Sequence, residues 1–94
     1  MRAKKVDKNH KEIDEAFRML GCSVFDTSGV GRGFPDILVG KAFKTVLVEI
    51  KSSNKAPFTK HQKEFMVHWK GSVVCRVQDL DGVVRLVKML DNVE

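Results

Sequence analysis

The chain has 94 residues, 43% of them hydrophobic, with 17 Lys+Arg against 12 Asp+Glu, a formal net charge of +5. This length fits one domain (1–94) with one modest core, and the apolar fraction excludes disordered and fibrous classes. The cationic balance points to a polyanionic partner such as nucleic acid, and no apolar run approaches the ~20 residues that span a bilayer.

Residues 1–8 are expected to form a basic, flexible arm. The segment MRAKKVDKNHK has no apolar core behind its cations, so it is not read as a secretory signal, and the expected location is intracellular, in the cytoplasm. Cys22 and Cys75 then read as free thiols. The spacing of Ile13, Ala16, Phe17 and Leu20 predicts a helix over 9–20, with Asn9 as N-cap and Gly21 as its C′ stop. Strands are expected at 22–26, at 35–40 (PDILVG) and at 45–51 (TVLVEIK), the first two separated by the glycine-rich loop 27–34. A second helix covers 59–70, opened by a Thr59–Gln62 capping box, striped by Phe65, Met66 and Trp69, and ended at Gly71. A strand at 72–77 follows. The tail is read as a helix carrying Leu80, Val83, Val84, Val87 and Leu90, with a hairpin turned at Asp81-Gly82 as the alternative. The order α-β-β-β-α-β-α makes an α/β fold, a small mixed sheet flanked by helices.

The chemistry concentrates where two strands meet. If 35–40 and 45–51 pair around a four-residue loop at 41–44, Gly40 faces Thr45, and counting outward Asp36 faces Glu49. Opposed residues share a sheet face with Cβ atoms about 4.5–5.5 Å apart. Lys51, two residues on, projects to that face, while Val46, Val48 and Ile50 point to the other and pack. Facing like charges destabilise a sheet unless a cation lies between them or one is protonated. Clustered carboxylate oxygens suit Mg²⁺ or Mn²⁺, and an ammonium beside them can orient a water or stabilise charge growing on a phosphate. These are the parts of a phosphodiesterase.

Gly31-Arg-Gly-Phe-Pro-Asp36, the apolar strand after it, and VLVEIK ending in Glu49-Ile-Lys51, with Glu12-Ile13 opening the first helix and T-x-x-Q opening the second, resemble the PD-(D/E)xK nuclease superfamily. Within it, the chain is most similar to the standalone virus-type replication-repair nuclease (VRR-Nuc) domain. The resemblance runs from about Glu12 to about Val77. It implies a restriction-endonuclease-like core, with Asp36 and Glu49 as ligands of Mg²⁺ (or Mn²⁺) and Lys51 supporting the attacking water. It also implies a metal-holding carboxylate on the first helix and a Gln lining the site from the second. Helical geometry favours Glu12 for the former, about 90° from the apolar face at 100° per residue, over Glu15 at about 150°. Gln62 is the candidate for the latter, and equally a plain capping residue. The main-chain carbonyl of Ile50 is a further candidate ligand.

Arg32, Lys55, Lys60 and Lys63 are candidate nucleic-acid contacts, equally readable as a solvated face. His10, His61 and His68 read as surface residues, and Trp69 as core or interface. No helix-turn-helix or zinc module is visible, so base-specific readout is not expected. The standalone resemblance implies a homodimer resolving four-way (Holliday) junctions, without organic cofactor or membrane. Competing expectations are a non-catalytic nucleic-acid binder, a flap or general nuclease, and a partner-dependent nuclease subunit.

Overall fold

The computed structural model describes residues 8–53 and 56–92. Its elements are α1 (Lys8–Met19), β1 (Ser23–Asp26), β2 (Ile37–Lys41), β3 (Lys44–Ile50), α2 (Lys60–His68), β4 (Val74–Val77) and α3 (Leu80–Asp91), in the expected order. The strands form one mixed sheet in the spatial order β1-β2-β3-β4. β2 pairs antiparallel with both β1 and β3, and β4 lies parallel to β3. A parallel neighbour requires a crossover, and α2 supplies it. The expected basic arm, apart from Lys8, and Lys55 lie outside the described residues.

Alternation along the strands sorts the two faces. Ile37, Val39, Val46, Val48 and Val77 join Ile13 and Phe17 of α1 and Val83, Leu86, Val87 and Leu90 of α3 in one core. Both helices therefore cover one face of the sheet. Glu49, of opposite parity, points to the second face, where α2 lies over the end of β3. Val46 through Glu49 are all buried, because β3 is covered from both sides there.

Several local expectations are corrected. Asn9 does not cap α1, which already includes Lys8; its side chain instead donates to the Lys51 carbonyl at 3.0 Å, tying α1 to the exit of β3. Leu20 is 42% exposed rather than part of the apolar face, because α1 ends at Met19. The chain turns through Gly21 (φ 88), whose N–H donates to the Arg18 carbonyl, while the Cys22 N–H returns to that of Phe17. This pair of bonds closes the helix in a Schellman turn, and buried Cys22 takes the place expected for Leu20. The β2–β3 connection is two residues, not four: pairing continues to Lys41↔Lys44, and Ala42 and Phe43 take φ 55 and 64. The tail is helical, capped by Asp79, whose carboxylate accepts from the Gly82 N–H at 2.8 Å. Its stripe is Gly82, Val83, Leu86, Val87 and Leu90, so Leu80 and Val84 stay exposed. Among the described residues no helix is long and apolar enough to cross a membrane.

Candidate active site

The entrance to β2 and the exit of β3 bring the site together. The expected register holds from Gly40↔Thr45 to Ile37↔Val48. One position further it breaks. The Asp36 N–H donates to the carbonyl of Val48, the residue already paired with Ile37, so two residues of one strand meet one of the other, as in a β-bulge. Pro35 has no N–H to continue the ladder, and its carbonyl accepts from the buried Thr27 hydroxyl at 2.8 Å. Asp36 thus leaves the direct opposition to Glu49 that an unbroken register predicts. Its carboxylate accepts the Ile50 N–H at 2.8 Å, which anchors it against the strand that carries Glu49 and Lys51.

Glu49 is 4% exposed. A buried carboxylate needs donors, and the side-chain amide of Gln62 supplies one at 2.7 Å, with the Lys51 ammonium 3.9 Å from the same oxygen. Lys51 donates to the Gln62 amide oxygen at 2.8 Å and lies over the Phe58 ring, 5.4 Å from its centroid. That amide oxygen also accepts the Thr59 N–H at 2.8 Å, while the Thr59 hydroxyl accepts the Gln62 N–H. Gln62 is therefore the capping-box residue and a site residue together: its amide clasps Glu49 and Lys51 while closing the first turn of α2.

Gly33 explains how the loop and α2 come so close. It has φ 79, and a Cβ there would collide with the backbone carbonyl of His61. The loop backbone rests directly on the start of α2, and Gly33, Pro35, Glu49, Phe58, Gln62 and Phe65 line one narrow crevice. Arg32 (φ 58) is exposed beside it, and Lys60 and Lys63 are exposed on α2. Glu12 is exposed on α1, and among the described residues no three His, Cys, Asp or Glu side chains converge. Ile50 packs against the core. His61 and His68 lie at the surface as expected, whereas His10 is half-buried.

Phe58 and Arg76 escaped the sequence reading, and Asn9 figures there only as a cap. Arg76, paired with Glu49 across β3 and β4, faces the Phe58 ring at 5.2 Å and donates to the carbonyls of Ser53 and Ala56, holding the segment after β3. Only the aromatic Phe58 beside a cationic strand end hinted at this. Both thiols are held above their usual range, chiefly by burial, the effect on Cys22 being opposed by Lys41, so neither is a ready nucleophile at neutral pH.

Asp36 and Glu49 offer hard oxygen donors at adjacent strand ends. That donor set fits Mg²⁺ or Mn²⁺, which bind through one or two carboxylates and keep waters or phosphate oxygens in the remaining positions. Compared with protein-family models, with curated proteins and with solved structures, the chain gives no match.

Proposed function

We propose that the chain is an endodeoxyribonuclease dependent on Mg²⁺ or Mn²⁺, with a restriction-endonuclease-like core of the PD-(D/E)xK, VRR-Nuc kind. The observation that carries this is buried Glu49, clasped by Gln62 beside the Lys51 ammonium, at the strand end where Asp36 is anchored. A solvent-exposed Glu–Lys pair contributes little; this one is held out of solvent, with side chains only 5% and 12% exposed.

In this mechanism Asp36 and Glu49 would hold the cation, with the Ile50 carbonyl as an additional ligand, and Glu12, exposed on α1 and outside any cluster of three such side chains among the described residues, would join them only by turning inward. When bound, the cation supplies positive charge to the scissile phosphate and lowers the pKa of water. Lys51, fixed by Gln62, orients the attacking water and faces the charge growing on the phosphate oxygens. Arg32, Lys55, Lys60 and Lys63 hold the DNA backbone. The substrate is branched DNA, a four-way junction, resolved by a homodimer whose two sites match the junction's near-twofold symmetry. The setting is the cytoplasm of a bacterium or a virus-infected cell.

Cleavage of a four-way junction, a flap, a single strand and a linear duplex, each with Mg²⁺, tests this. Junction cutting should be lost in Asp36→Ala and Glu49→Ala and fall about 10²-fold or more in Lys51→Ala, the scale of a lost electrostatic contact. Undiminished cutting by either carboxylate variant would sink the assignment. Binding that falls with salt but no cutting by the wild-type chain would leave a nucleic-acid binder. A monomer by light scattering would count against junction resolution.

A further inference from the structure

Phe34, Phe65 and Trp69 form a run of three rings along α2. Phe65 and Trp69 stack with centroids 5.2 Å apart and planes 20° from parallel, and Phe34 meets Phe65 edge-on at 5.2 Å. Outside them lies an open groove of about 290 Å³, lined by Arg32, His61, Glu64, Phe65, His68 and Trp69. Trp69 is 43% exposed, though a tryptophan is usually well buried. Its ring is held by the bend of the chain rather than by the core: α2 ends at its backbone, and a Cβ on Gly71 would come within 2.8 Å of the indole nitrogen. An aromatic platform is thus built in advance and left open on one side.

Charge and position identify the occupant. Lys60, Lys63 and Lys70 on or just past the same helix outnumber Glu64, and Arg32 stands on the groove wall, a setting for a polyanion. Phe65 lines both this groove and the crevice that holds Glu49 and Gln62, so a polymer crossing the candidate site passes the platform. The ligand that joins a flat apolar face to a phosphate chain is a nucleotide, and its base is free to stack on protein only when it has left its own duplex. Resting on the nuclease reading for the identity of the polymer, we infer that the groove binds one unpaired nucleobase of the DNA substrate, stacked on Trp69 and Phe65 beside Arg32. The substrate class then includes an unpaired nucleotide near the cleaved phosphate, supplied in branched DNA by a base that has left its stack at the branch point.

The chain has one tryptophan and no tyrosine, so its ultraviolet emission reports this groove. The full-length protein is titrated in EDTA with an unpaired oligo-dT and with a fully paired, blunt-ended duplex. Single strand should quench the emission, and paired DNA should do so several-fold less. In anisotropy titrations of labelled oligo-dT, Trp69→Ala should bind on the order of tenfold more weakly and Trp69→Phe close to wild type, as stacking requires. Unchanged emission on single-strand binding, equal quenching by paired DNA, or wild-type affinity in Trp69→Ala would each overturn the inference. So would a dimer that becomes a monomer in Trp69→Ala, which would give the groove to a second copy. Quenching without any Mg²⁺-dependent cutting would remove the nuclease reading and leave the base site, whereas cutting without quenching would do the reverse.

Discussion

Gln62 serves two networks with one amide. Its oxygen takes the Thr59 N–H and the Lys51 ammonium, and its nitrogen donates to Glu49. Removing it leaves a buried carboxylate short of a donor, a loss worth about 1–3 kcal/mol. Gln62→Ala should therefore lower the denaturant midpoint and also reduce Mg²⁺-dependent cutting, because Lys51 loses the partner that aims it. Thr59→Ala separates the two roles. It removes only the cap, at about 1 kcal/mol, and leaves the clasp on Glu49 and Lys51 in place. Stability should fall in both variants, and activity only in the Gln62 variant. Equal activity losses would reduce Gln62 to a capping residue.

At the scale of elements, what the chain spelled out locally was legible and what depended on distant partners was not. Pairing the two strands around a short loop set the β2–β3 register, and period-two alternation then placed Val46 and Val48 on the core face. That register was enough to bring Asp36, Glu49 and Lys51 to one end of the sheet. It could not show the bulge at Asp36, which arises where Pro35 stops the ladder and Thr27, eight residues upstream, takes up its carbonyl. The tight turn was hidden because Ala42 and Phe43 occupy the left-handed region that usually calls for Gly or Asn. Asn9 looked like a cap and instead reaches Lys51, 42 positions away. The third helix gives the clearest test at this scale. Asp79 holds its first turn through the Gly82 N–H, while the far end is met by Lys41, at 2.7 Å from Asp91, and by Lys44, which donates to the Leu90 carbonyl. A capping carboxylate is worth about 1 kcal/mol, whereas an exposed ion pair contributes little. Asp79→Ala should lower the melting temperature followed by circular dichroism by about 4–8 °C, as expected for a domain of this size, and Lys41→Ala by clearly less. The opposite ranking would mean that α3 is held from its C-terminal end.

For the whole molecule, the positive charge divides into cations that hold the fold and cations that face outward. Arg18 binds Asp14 and the Val24 carbonyl, Lys41 and Lys44 hold the end of α3, and Arg76 braces the segment after β3. Lys41 and Lys44, two of the seven lysines between residues 41 and 70, are therefore committed to tertiary contacts on the side of α3, away from α2. Lys60 and Lys63, by contrast, stand exposed on the helix that also carries Gln62 and the aromatic groove. A net +5 overstates the charge available to a polyanion and says nothing of where it sits. Binding to single-stranded DNA falls with salt by about 0.7 in log–log slope for each phosphate contact. If α2 is the nucleic-acid face, Lys60→Ala with Lys63→Ala should reduce that slope by about 1.4, measured by anisotropy in EDTA across a salt series. Lys41→Ala with Lys44→Ala should leave the slope near its wild-type value while lowering thermal stability. A slope that falls equally in both double variants would show a polyanion gathered by the whole surface, and α2 would lose its claim to be the binding face.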